Sequence, residues 1–280
     1  MKNFKFALLP MLLCLPFTMV GCAAPAEDAI IIGLECDYAP FNWTTYQSNE
    51  YTLPIANKAN AYADGYDIQI AKHLSEELGK PVKIMAVAWD SLISDLIFDT
   101  IDLVIAGMTD TEERRQTIAF SDEYYRSELV LITSKEVADQ YNSALTSEQL
   151  VTLINGKIIV SQKGTVTNDV IANTFATSYG AIHATPQETF AFAATDVSNG
   201  SAFAMTAELP VAQSIVASFS NLGIIHIDQE ILGEAQAELG VSIGLRKQDT
   251  ELKDSVNAAL AELSTDERVE IMAGALERSA

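Results

Sequence analysis

A few side chains with directional charge chemistry stand where secondary structure is expected to change. Arg114 lies just inside the helix that Thr111-Glu112-Glu113 opens. A guanidinium there can grip a carboxylate through two parallel hydrogen bonds, which Lys cannot copy. Arg115 follows directly, so either arginine can turn inward while the other pairs with Glu112 or Glu113 on the surface. Gly164-Thr165 breaks the run Lys157 to Ser161 before a helix from about Thr167. The amides at such a helix start favour an anion, and an ordinary capped turn is the alternative. Glu208, in Ala207-Glu208-Leu209-Pro210, follows the apolar run Ala202 to Met205. It is either a carboxylate at a strand end or a solvated charge at a helix start. Tyr38 and Trp89 offer rings that give flat contact and attract a cation over their faces, or that simply fill the core. His73 sits in a polar stretch of an amphipathic helix and is expected in solvent. His183 and His226 show no nearby nucleophile or metal-type spacing. With no phosphate-binding glycine loop and no zinc helix motif, the sequence predicts no cofactor, no metal and no catalytic residues.

The elements that must position these residues read as alternating strands and helices. Ile30 to Leu34 is a buried strand, and Asp67 to Gly79 a helix whose Ile70, Ala71, Leu74 and Leu78 share one face, stopped by Gly79 and Pro81. Val82 to Val87 is a strand, Ser91 to Phe98 a short helix and Ile101 to Ala106 a strand. Such βαβ alternation predicts parallel sheet with helices on its faces and ligands at strand ends. A second set follows: a strand from Leu129 to Thr133, a capping box at Thr146-Ser147-Glu148-Gln149, and a strand from Lys157 to Ser161. Beyond these lie a helix starting at Pro186, strands at Ala202 to Met205 and Gly223 to Ile227, and a helix from Pro210 to Phe219 between them. Val241 to Leu245 is a strand, and helices Asp249 to Leu263 and Asp266 to Glu277 close the chain. The polar stretch Thr44 to Ala63 lacks periodicity and is expected to be a mobile loop.

The chain has 280 residues, 49% of them hydrophobic and 20% charged, enough for a sizeable core in one or two domains. Its net charge of −21 argues against a nucleic-acid partner or a charge-held membrane protein. Lys2 and Lys5 precede an apolar run from Phe6 to Val20 that Pro10 and Pro16 interrupt. That run is too short for a comfortable membrane span and reads as an export signal. Its end, Met19-Val20-Gly21-Cys22, resembles a bacterial lipobox, in which the chain is cut before a cysteine that then carries lipid. Residues 1–22 are thus expected to be the signal peptide and 23–28 a tether. Of Cys14, Cys22 and Cys36, only Cys36 remains in the folded part, so no internal disulfide is available. Cys36 reads as a small packed residue.

Several segments, in order, resemble the bacterial ABC-transporter solute-binding proteins of family 3. They are Glu35-Cys36-Asp37-Tyr38-Ala39-Pro40-Phe41, Gly65-Tyr66-Asp67-Ile68-Gln69-Ile70-Ala71, Trp89-Asp90-Ser91-Leu92, and Asp102 through Thr109. Thr111-Glu112-Glu113-Arg114, Phe120 through Tyr125, Lys163-Gly164-Thr165 and Gly244-Leu245-Arg246-Lys247 extend the series. The resemblance implies an α/β, two-lobed periplasmic-binding-protein-like fold (type II) with a cleft between the lobes. Lobe 1 would be 29–128 plus 238–280 and lobe 2 would be 129–237.

By the same resemblance Arg114 holds a ligand carboxylate, Gly107 and Thr109 add a backbone acceptor and a hydroxyl, and Thr165 adds its hydroxyl and N–H from lobe 2. Glu208 falls where the family has an Asp for the ammonium, and Gly200-Ser201-Ala202-Phe203-Ala204 departs from the family's Gly-x-x-Asp-Ala. Tyr38 and Trp89 would sandwich the ligand side chain, with Glu35 and Asp67 near its far end. Asp67 also reads as a helix N-cap, and both roles can hold. Two acids there suit Arg, Lys or ornithine, and an acid at the Glu35 place also suits Gln. The implied function is an extracytoplasmic, lipid-anchored, monomeric receptor of an ABC importer for a polar amino acid, its partners that free amino acid and a membrane permease. A tethered amino-acid sensor or adhesin is the alternative, and a dehydratase on the same fold a more distant one.

Overall fold

The computed structural model of the protein describes residues 29–279. The expected signal peptide, the lipobox Cys22 and the tether 23–28 lie outside the described residues.

Apolar β-branched runs pair into two five-stranded sheets. The first has the order Val82–Ala86, Ile30–Leu34, Leu103–Val104, Gly240–Leu245, Ala119–Arg126. Its first three strands are parallel, while Gly240–Leu245 runs antiparallel to both its neighbours. The second has the order Ile182–His183, Ile158–Val160, Ala204–Glu208, Leu129–Ser134, Leu222–His226. There Leu129–Ser134 is antiparallel to both partners. Continuous burial along Leu129–Thr133 and Gly240–Leu245 accords with strands covered on both faces. The chain passes between the sheets at 127–128 and returns ahead of Gly240. Gln229 braces the first crossing: its side-chain amide donates to the carbonyls of Leu129 (3.0 Å) and Ile227 (2.8 Å) and accepts from the Leu129 N–H (3.0 Å).

Helix Tyr66–Leu78 buries Ile70, Ala71 and Leu74 and ends at Gly79. Helix Ser147–Ile154 starts with the full Thr146/Gln149 capping box. The helix expected from Pro186 begins instead at Phe190, because the Thr189 hydroxyl accepts from the Phe192 N–H. The strand expected over Ile101 to Ala106 pairs only at Leu103–Val104. The stretch Thr44 to Ala63, expected to be a mobile loop, is largely ordered by pairing. Asp37–Tyr38, Asn42–Thr45, Tyr62–Asp64 and Leu53–Pro54 form a small antiparallel sheet in that order. Its strands are too short to show an alternation in sequence. His73, expected in solvent, is half-buried with Nε2 2.7 Å from the Ala259 carbonyl.

Candidate functional site

Two sequence features turn Arg114 inward. Thr111 caps the helix Glu112–Arg115, its hydroxyl accepting from the Arg114 N–H at 3.2 Å. Arg115 is exposed and forks the half-buried Asp110 carboxylate at 2.6 and 2.7 Å, so it is the surface member of the pair. The Arg114 guanidinium donates through Nη1 to the Thr109 carbonyl (2.7 Å) and hydroxyl (3.1 Å). Through Nη2 it donates to the Gly164 carbonyl of the second sheet's side (2.9 Å). Its Cζ lies 5.3 Å from the Trp89 ring centre. One cation thus spans the two halves of the molecule.

Around it the halves meet over a small cavity lined by Tyr38, Trp89, Gly107, Thr109, Gln162, Thr165, Val166, Phe190 and Glu208. The strands and helix starts of both sheets deliver these residues to one end, the usual place for ligands in such sheets. Gly164, at φ +68°, turns its carbonyl toward Arg114 and Trp89, whose Nε1–H donates to it at 3.1 Å. Gly107, at φ +59°, lies so close to Tyr38 that a Cβ would sit 2.8 Å from the Tyr38 Cε1. Thr165 caps the helix that starts at Val166, accepting from the Asn168 N–H, and its hydroxyl donates to the Gln162 carbonyl at 2.7 Å.

Glu208 ends the strand Ala204–Glu208 and starts the helix Leu209–Ser218. It is buried, not solvated, and its Oε2 accepts from the Tyr38 hydroxyl across the cleft at 2.7 Å. Burial pushes its pKa up, against the pull of the Tyr38 hydrogen bond and the Arg114 charge. Glu35 is pushed up to about 7, chiefly by burial, while the Gln162 side-chain amide donates to it across the cleft at 2.9 Å. Lys163 pairs with Asp90 on the rim.

Asp67 is placed differently. It is fully buried and does not line the cavity. Its carboxylate accepts from Asn42 Nδ2 (2.8 Å) and from the Tyr124 hydroxyl (2.7 Å). The Tyr124 oxygen in turn accepts the Gly107 N–H at 3.0 Å, and the Asn42 carbonyl accepts the Cys36 N–H at 2.8 Å. Asp67 therefore braces the loops that carry Gly107 and Tyr38. Burial raises its pKa to about 6, against those donors. Nor does it cap its helix by a side-chain bond; Gly65 is the N-cap residue and none is made there.

Tyr38 and Trp89, expected to sandwich a ligand side chain, both line the cavity. Tyr38 stacks on Phe41 (centroids 5.2 Å, planes 10° apart) and on Phe190 (5.0 Å, 27°). Phe190 comes from the other half of the molecule, 152 positions away, and no local sequence signal marks it. Gln162 was equally unmarked. The remaining histidines are occupied at a distance from the cavity, His183 by Asn168 (2.9 Å) and His226 by Glu128 (2.8 Å).

Two α/β lobes joined by two crossings, with a carboxylate in the cavity between them and a cation against its Thr109 and Trp89 walls, define a cleft-type binding protein. The family model for bacterial extracellular solute-binding proteins, family 3, matches residues 30–273, and the chain belongs to that family. It is 24% identical over 273 residues to the arginine-binding extracellular protein ArtP of Bacillus subtilis, covering 95% of each chain. It is 26% identical to the octopine-binding periplasmic protein of Rhizobium meliloti, covering 85% of this chain and 80% of the relative. Its fold is that of the arginine-bound amino-acid ABC transporter substrate-binding protein AbpA of Streptococcus pneumoniae. The TM-score there is 0.72 at 23% identity, over 90% of this chain and 95% of the other. No helix of the described residues is long and apolar enough to cross a membrane.

Proposed function

We propose that the protein is the extracytoplasmic receptor of an ABC importer for a polar amino acid, with Arg, Lys, ornithine or Gln as the candidate ligands. The observation that carries this reading is that Glu208 of lobe 2 lines the cavity while Arg114 of lobe 1 stands against its Thr109 and Trp89 walls. A free amino acid is a zwitterion, so it needs a cation for one end and an anion for the other. Arg114 takes the carboxylate, with the Thr165 hydroxyl and N–H beside it. Glu208 takes the ammonium, with the Thr109 hydroxyl and the Gly107 backbone completing that end. Glu208 is buried and Arg114 half-buried, so contacts to Glu208 above all are stronger than on a surface. Glu35 and Gln162 offer an acceptor and an amide to a polar side chain, and Trp89 and Tyr38 wall it. Asp67 holds the floor of the site rather than touching the ligand.

The cavity between the lobes is about 10 Å³, room for about one water. A solute therefore enters by parting the lobes, and its own groups then replace the direct contacts of Arg114 with Gly164 and of Glu208 with Tyr38. The hinge lies at the crossings near 128 and 238, which divide the chain into lobe 1 (29–128 with 238–280) and lobe 2 (129–237). Lipid on Cys22 would keep the receptor at the membrane beside its permease. The relatives named above are binding proteins by their names, and the same role, not catalysis, is assigned here.

Calorimetric titration of the purified protein with the candidate amino acids tests the reading. Arg114→Ala should cost about 3 kcal/mol or more, since it leaves a buried carboxylate without its partner. Unchanged affinity in that variant removes the carboxylate role. A wild-type protein that binds neither ornithine nor any of the twenty amino acids removes the receptor reading.

A further inference from the structure

The two rings expected to hold the ligand side chain already have protein groups on their faces. Tyr38 lies between Phe41 on one face and Phe190 on the other, at 5.2 and 5.0 Å. Its hydroxyl is held by Glu208, so ring and hydroxyl are both engaged by lobe 2. The Trp89 ring faces the Arg114 guanidinium at 5.3 Å, and its N–H is spent on Gly164. The far wall is shut by the Gln162 amide on Glu35. Phe190 is itself almost fully buried and is seated by the Thr189 cap at the first position of its helix. A long guanidinium side chain gains most when it lies flat between two free aromatic faces. Here Phe190 occupies the Tyr38 face that such a chain would need.

Resting on the amino-acid reading above, we propose that Phe190 is a specificity-determining residue that limits side-chain length. The closed cleft favours short polar side chains, those of glutamine and ornithine, over the longer one of arginine. A short chain reaches the Glu35–Gln162 pair with its terminal N–H donors and leaves the Tyr38–Phe190 stack intact. Arginine must displace the Phe190 ring and forfeits that stack. Ornithine and arginine carry the same charge, so the comparison between them removes net charge as a cause, and the Phe190 variants separate chain length from the difference in head group.

The experiment is calorimetric titration of the intact protein, and of its Phe190→Ala and Phe190→Leu variants, with L-glutamine, L-ornithine and L-arginine. Wild type should bind ornithine and glutamine at least tenfold more tightly than arginine. Phe190→Ala should raise the affinity for arginine relative to ornithine by about tenfold, and Phe190→Leu should shift the same ratio by less. Should Phe190→Ala fail to fold, the wild-type ranking and the Leu variant decide the matter. Arginine binding as tightly as ornithine to wild type overturns the proposal, as does an equal loss for all three ligands in the variants, and both leave the amino-acid reading intact. No heat with any of the three, nor with the other amino acids, brings down that reading and the length filter with it.

Discussion

The two halves of the cleft are built by different means. Lobe 1 braces its side from within. Asp67, Asn42 and Tyr124 tie the Cys36 and Gly107 loops together before any partner arrives. Lobe 2 presents groups that reach across the gap, Gln162 also donating to the Glu188 carbonyl of its own lobe at 3.0 Å. Glu208 finds Tyr38, Gln162 finds Glu35, the Gly164 carbonyl finds Arg114 and Trp89, and Phe190 finds Tyr38. Preorganisation on one side lowers the ordering cost of binding, while reach across the gap on the other links binding to closure. The contrast teaches that two carboxylates near one cleft can serve opposite ends: Asp67 supports the fold and Glu208 faces the partner lobe.

The largest effect expected from this contrast is a pH dependence. Glu35 has a folded-state pKa of about 7, chiefly because it is buried. An acid raised in this way favours the folded state most below its ordinary pKa, and that contribution is lost as pH rises through about 7. The shift is worth about 3 kcal/mol. Thermal melts from pH 4.5 to 8 should show wild type losing stability across this window and Glu35→Gln losing markedly less. Identical pH profiles would show that Glu35 is solvated in solution.

Next is Asp67→Asn, which should lower unfolding free energy by about 2 kcal/mol, the cost of a buried polar mismatch. Asn42 is already fixed by accepting from Cys36, and the Tyr124 oxygen by accepting from Gly107, so one new donor has to face another donor. Denaturant titration measures it, and an unchanged midpoint would break the idea of an internally braced lobe 1. Glu208→Gln should do the reverse, keeping stability while weakening amino-acid binding by roughly tenfold, as a charge-assisted bond becomes a neutral one. A Gln variant that binds as well as wild type would mean the ammonium goes elsewhere. Lys163→Ala marks the small end. Its pair with Asp90 is exposed on the rim, and exposed pairs contribute little. The melting temperature should not move, and a measurable drop would promote that rim contact to a latch.

Much of this was legible in sequence, and what was not had physical reasons. Arg114 could be singled out because Thr111 fixes the helix start that aims it. Glu208 could be placed at a strand end because four apolar residues precede it. Asp67 stayed ambiguous because a carboxylate at a helix start looks the same whether it meets a ligand or the Tyr124 hydroxyl. The strand Ala119–Arg126 was hidden by its composition: Ser121 is buried and Asp122 exposed beside it, with no clean alternation. Phe190 and Gln162 reach the cleft through contacts with the other lobe, which leave no local pattern.

The first sheet carries one further consequence, for the order of assembly. Its fourth strand, Gly240–Leu245, is inserted between Leu103–Val104 and Ala119–Arg126, yet it is made more than a hundred residues after either. The second sheet draws all its strands from one unbroken stretch, Leu129 to His226. A chain emerging from its N-terminus can therefore complete lobe 2 while the centre of lobe 1 still has an unfilled slot. Such long-range pairings are slow to form. The lobe that begins the chain is the last to finish, and the receptor becomes competent only when its final quarter has arrived.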